Sequence, residues 1–160
     1  MTVTVFGTGT LRAFAVNDRP DPLPILAVTR NEHGFRAELT ASMETFSAVR
    51  QLTLSMPLGH EVTPDLAEKT ALVVSELMGN AKRATPDSEA ARLIVEVSVT
   101  ATGLEVSVHD AAPGQPTRRD VPLDDAEATA GRGLALLDVL TDYWTVEPSS
   151  LGKKIRCHLS

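Results

Sequence analysis

The chain has a single cysteine, Cys157, so no intrachain disulfide can form. It alternates with Ile155 and Leu159, which marks it as an expected core residue on a strand. Metal-ligand spacing is missing too. His33, His60, His109 and His158 form no such pattern, and each is expected at the surface or on a strand. There is no surplus of positive charge: 15 Lys and Arg against 21 Asp and Glu leave a formal net charge of −6. That argues against nonspecific binding of nucleic acid as the main role. No apolar run is long enough to span a membrane, and no cationic N-terminal segment precedes one, so neither a span nor a signal peptide is expected. The expected location is the cytoplasm. Neither the G-x-G-x-x-G of dinucleotide folds nor a Gly-Lys-Ser/Thr phosphate loop occurs, and no internal repeat or low-complexity tract is found. What remains is a 160-residue chain, a length that suits one domain with a sizeable core.

Residues 1–33 differ from the rest and are expected to form a flexible or extended leader, with the domain proper at 34–160. Val3 to Val16 fits one strand, and Asp18-Arg19-Pro20-Asp21-Pro22-Leu23-Pro24 reads as a stiff extended linker. A strand is expected near Gly34 to Leu39. A helix follows from about Met43 to Met56, capped by Ser42 and stopped by Pro57.

The next helix carries chemistry. Thr63 caps it, Pro64 suits its first position, and Asp65 favours the positive end of the helix dipole. From Asp65 to Ala84, Leu66, Val73, Val74, Leu77 and Ala81 recur at helical spacing, with Ala67, Ala71 and Met78 widening the stripe. Glu76, Asn80 and Arg83 fall at i, i+4 and i+7 and so point in one direction. An acid and an amide on an otherwise apolar helix belong at a cleft or in water, because burying them unpaired is costly. Taken alone, an ordinary solvent-facing polar line is the more economical explanation for them.

A hairpin comes next. Leu93, Val95, Val97 and Val99 alternate with polar or second-face residues, and after Ala101-Thr102-Gly103 so do Leu104, Val106 and Val108. The second strand delivers Asp110 to its end, where Pro113-Gly114 forces a turn. An ionised carboxylate there accepts hydrogen bonds only, so it suits the exocyclic amine of adenine and not the carbonyl of guanine. Gly114 would let backbone approach the base. Between Gln115 and Ala130 lie Pro116, Pro122 and the acids Asp120, Asp124, Asp125 and Glu127. An unstructured connection of that length suggests a nucleotide lid, with a tolerated surface loop as the alternative. Gly131-Arg132-Gly133 then precedes Leu134 and an apolar run, and glycines just ahead of a helix free backbone N–H groups for an anion.

In this order the pieces resemble the GHKL ATPase superfamily, and within it the small anti-sigma-factor serine kinases. The similarity runs from about Arg36 to Leu159. It takes in Ala48-Val49-Arg50, the N-box from Val74 to Arg83, the G1 box from Asp110 to Pro116, the G2 box Gly131-Arg132-Gly133-Leu134 and the closing strands at Trp144-Thr145-Val146 and Gly152-Lys153. The resemblance implies an α/β (α+β) sandwich, a mixed, mainly antiparallel sheet covered on one face by helices. It implies ATP and Mg2+ as cofactors. Asn80 would hold the metal, Glu76 would be the general base, and Asp110 with Gly114 would read adenine. Arg83, Gly131, Arg132, Gly133 and Leu134 would line the nucleotide. One protein oxygen plus phosphates suits magnesium, which keeps several waters. The partners implied are a sigma factor and a STAS-domain anti-sigma-factor antagonist phosphorylated on Ser or Thr. Homodimerisation through the first strand and helix is left open, and neither nucleic acid nor membrane is implied.

The chain departs from the family at Ala84, where His is common, at Lys154, where Thr is common, and at Ala112, where many members have Gly. Gly79 adds a helix cost of about 1 kcal/mol relative to Ala. A catalytically weak or inactive ATP-gated protein-binding module therefore stands beside the kinase as the alternative. A detached ATP-binding half of a histidine kinase is the third option, without a dimerisation helix pair to support it.

Overall fold

The computed structural model describes residues 2–4, 11–14, 26–56, 62–86, 90–114 and 129–160. Within these, eight strands make one sheet: β1 (Thr2–Thr4), β2 (Leu11–Phe14), β3 (Leu26–Asn31), β4 (Gly34–Thr40), β5 (Arg92–Thr100), β6 (Gly103–Asp110), β7 (Tyr143–Pro148) and β8 (Lys153–Leu159). Their spatial order is β1-β2-β3-β4-β5-β6-β8-β7, and every described pairing is antiparallel. The last strand in sequence thus lies inside the sheet, between β6 and β7.

Local chemistry explains the helix ends. Helix α1 (Met43–Leu54) starts at a reciprocal cap, in which Ser42 accepts from Thr45 N–H and Thr45 accepts from Ser42 N–H. Helix α2 (Pro64–Ala84) starts where the Thr63 hydroxyl accepts from Leu66 N–H at 3.2 Å, with Pro64 at the first helical position. Helix α3 (Thr129–Leu140) begins two residues before Gly131.

Strand period 2 sorts the sheet into two faces. Phe35, Ala37, Leu39, Leu93, Val95, Val97, Leu104, Val106, Val108, Ile155, Cys157 and Leu159 are buried and join the apolar stripes of the helices in one core. Helix α2 spans its centre, packed against α1, α3 and strands β5, β6 and β8. The alternate positions carry Arg36, Glu38, Glu96, Glu105, Glu147, Lys154 and Arg156, tied by ion pairs along and across the strands. This is the one-sided sandwich expected from the sequence, with Cys157 fully buried as expected.

Two expectations are changed. Val3 to Val16 is not one strand: β1 and β2 pair antiparallel, and Gly7 and Gly9 fall between them in sequence, where they weaken a continuous strand. The stretch read as a leader also contains β3, which pairs with β4 along its whole length and buries Leu26 and Val28. The Asp18–Pro24 linker lies outside the described residues.

Candidate nucleotide site

The central helix presents Glu76, Gly79 and Asn80 half-buried and Arg83 exposed, while Leu77, Met78 and Ala81 on its other side are buried in the core. The acid and the amide therefore stand at the rim of the core, one turn apart on a helix anchored along its length. Asn80 is already engaged. Its Oδ1 accepts a hydrogen bond from the Arg83 guanidinium. A Cβ at Gly79 would stand 3.2 Å from Arg83 Nη1, so the guanidinium would have to give by a few tenths of an ångström.

Asp110 ends β6 and is 5% exposed. Its Oδ1 accepts from Ala112 N–H at 2.9 Å, closing a tight turn, and from Lys153 Nζ at 2.7 Å. The same ammonium donates to the carbonyl of Ala112 at 2.6 Å. Lys153 reaches Asp110 because the two residues are register partners across β6 and β8. Gly152, at φ +154, seats the β7–β8 turn against this corner, where a Cβ would come within 3.0 Å of the Asp110 carbonyl oxygen. Gly114 closes the turn at φ +84. A Cβ there would meet nothing within 4 Å, so the left-handed backbone, not close packing, accounts for glycine at this position.

The third piece is α3. Because it begins at Thr129, Gly131, Arg132 and Gly133 lie within its first turns and not just ahead of it. The N–H groups that precede the first i→i−4 bond of a helix lack intrahelical acceptors; in a helix that starts at Thr129 these run up to Gly131, whereas the Arg132 N–H is the first to bond back within the helix. Leu134 and Leu137 are buried, and the helix docks on α2 and β7. Of the expected lid from Gln115 to Ala130, residues 115–128 lie outside the described residues, and the last two belong to α3.

The acid and amide lie on the central helix, and the strand that ends at the buried aspartate and the helix that carries the glycines both pack against it. The sequence profile of the histidine kinase-like ATPase domain matches residues 39–158. The chain belongs to the histidine kinase-like ATPase domain family. No curated protein matches it. Membership implies ATP as the ligand, and the matched span takes in all three helices and the strands from β5 to all but the last residue of β8.

Within this histidine kinase-like ATPase domain the donor set suits a magnesium-nucleotide. Among the described residues there is no group of three His, Cys, Asp or Glu able to hold a metal by itself. A single amide oxygen that leaves the remaining positions to phosphates and water matches magnesium chemistry. Among the described residues, no helix is long and apolar enough to cross a membrane. The histidines take strand or surface positions where described: His33 is exposed, His109 bonds Glu96 at 2.9 Å and His158 bonds Asp142 at 2.8 Å; His60 lies outside the described residues.

Lys153 is the site residue that sequence reasoning misses, since the sequence shows it only as half of a Gly-Lys pair. Counting back from the ends of the paired strands places it opposite Asp110, but only once the β6–β8 pairing is known.

Proposed function

We propose that this domain binds Mg-ATP and acts as a regulator that transfers the terminal phosphoryl group to a Ser or Thr of a protein partner. The observation that carries the reading is the placement of Glu76 and Asn80 one turn apart at the rim of the core. Asn80 Oδ1 would be the one protein oxygen to hold the metal, which requires Arg83 to release it, and the freed guanidinium would be available to phosphate. Bound magnesium would neutralise phosphate charge, which together with positioning is most of what phosphoryl transfer requires. Glu76 accepts the proton of the incoming hydroxyl. Asp110 accepts from the adenine amine, and the first turns of α3 face the phosphates.

The resemblance to anti-sigma-factor kinases supports a sigma factor and a STAS-type antagonist as partners. A module that binds ATP and a partner without catalysis is the second reading. Lys154 favours it: it stands where the kinases commonly carry Thr, and it is spent on an ion pair with Glu147 at 3.3 Å.

The test is nucleotide affinity and labelled-phosphate transfer, side by side, in three proteins. Asn80→Ala is expected to weaken magnesium-dependent ATP binding. Glu76→Gln is expected to bind ATP as the parent does while transfer falls by roughly 10²–10⁴-fold, the usual worth of a general base. A parent that binds ATP but transfers nothing to a confirmed antagonist would leave the non-catalytic module standing. If neither substitution alters binding or transfer, the site assignment fails.

A further inference from the structure

The buried corner at the end of β6 contains more than the carboxylate. Asp110 Oδ1 receives two donors, Ala112 N–H and Lys153 Nζ, and both are fixed by the fold. The first closes the three-residue turn. The second hangs from the neighbouring strand at the register position directly opposite, and is anchored again on the Ala112 carbonyl. Lys153 is only 14% exposed at its side chain and Asp110 only 7%, so neither has room to reorient freely. Two donors use up the lone-pair directions of one oxygen. Oδ2 carries no hydrogen bond from any described residue.

We infer that Lys153 is a positioning residue for base selection: by holding Oδ1, it decides which atom of residue 110 faces the purine. This rests on the reading of Asp110 as the acid that contacts the base. With aspartate at 110 the atom left to the base is an acceptor, and the partner it selects is a purine 6-amino group. The same clamp has a consequence for an amide at this position. Two donors directed at Oδ1 force the amide oxygen inward, so the Nδ2 group of an asparagine takes the place of Oδ2 and offers N–H. An N–H donor selects a purine 6-oxo group. Asp110→Asn should therefore exchange the selectivity, not merely abolish it, and should do so most strongly while Lys153 is present.

The two nucleotides of the test differ at one edge of the base: ATP carries the 6-amino group beside an unprotonated N1, and inosine triphosphate the 6-oxo group beside an N1–H. Affinities for each, by calorimetry with magnesium, are measured for the parent, Asp110→Ala, Asp110→Asn, Lys153→Met and the Asp110→Asn/Lys153→Met double variant. The parent is expected to prefer ATP by about tenfold, the scale of one directed hydrogen bond. Asp110→Asn is expected to prefer inosine triphosphate by a similar factor. In the double variant only Ala112 N–H still directs the amide, so the preference for inosine triphosphate should shrink relative to Asp110→Asn alone. Lys153→Met alone should narrow the parent's preference, because its carboxylate loses a fixed orientation.

Failure of the underlying reading is separable: it is the case in which Asp110→Ala binds both nucleotides as the parent does. The positioning role is overturned if Asp110→Ala loses ATP preference but Asp110→Asn gains none for inosine triphosphate. It is also overturned if the double variant keeps the exchanged selectivity unchanged. Should Lys153→Met fail to fold, Lys153→Leu takes its place in the single and double variants: a preference for inosine triphosphate that shrinks in the double variant supports the role, and one that is unchanged refutes it.

Discussion

Cys157 offers a direct measure of how firmly the inner strand is held. It lies in β8 with Val106 and Trp144 as its register partners on either side, and its side chain is fully buried. Desolvation by that burial pushes its thiol from the ordinary 9.0 up to about 12. Only the thiolate attacks an alkylating reagent, so at pH 8 the buried thiol presents a thiolate population about a thousandfold smaller than an exposed one. Exclusion of the reagent by the packed sheet slows the reaction further, because reaction then requires opening of the strand. Iodoacetamide labelling at pH 8, followed by intact mass, should therefore be at least about a thousandfold slower in native protein than in urea. There is no second cysteine to confuse the readout. Native labelling within about tenfold of the urea rate would refute the burial of β8, and with it the placement of Lys153 beside Asp110.

Two further outcomes follow from other parts of the molecule. Burial pushes the Glu96 carboxyl up, but hydrogen bonds from His109 and Arg36 and their charges outweigh it and hold the group below its ordinary 4.5. A depressed carboxylate contributes stability above 4.5 that is lost as the pH falls through the lowered native value, so Glu96→Gln should show a shallower loss of stability as the pH falls from about 5 to about 3. Urea midpoints across that range check it, and an acid limb unchanged by the substitution would refute it. Leu137, fully buried in the helix that packs on α2 and β7, should cost about 2–5 kcal/mol when truncated to Ala. Since α3 carries the glycines at its start, nucleotide affinity should fall in parallel; a denaturation curve shifted by less than about 1 kcal/mol would show that α3 is not anchored there.

Features set by neighbouring residues were legible in the sequence. Ser42 and Thr63-Pro64 announce their helices because a cap is a contact between residues three apart. Alternation exposed the β5–β6 hairpin because the side-chain period is a property of the strand alone. What escaped is nonlocal. Lys153 and Asp110 are 43 positions apart, and nothing in either neighbourhood reports the strand pairing that joins them. The pairing of β3 was hidden for a similar reason: its six residues hold only Leu26 and Val28 as a buried alternation, and β4 supplies the rest. The bond from Arg83 to Asn80 depends on a side-chain rotamer, which helical spacing permits but does not choose.

The inner place of β8 also sets an order of events during synthesis. By the time the ribosome has made α2, β5 and β6, the helix with Glu76 and Asn80 and the aspartate at the end of β6 already exist as polymer. The lysine that clamps that aspartate, and the strand that fills the gap between β6 and β7, are translated after all of them. A chain that stops short of β8 therefore exposes the free edges of β6 and β7, and its Asp110 lacks the Lys153 partner. Such edges invite pairing with other chains. On the proposed reading of Asp110, the base corner is complete only once β8 is made, and fragments halted before Lys153 leave strand edges unpaired.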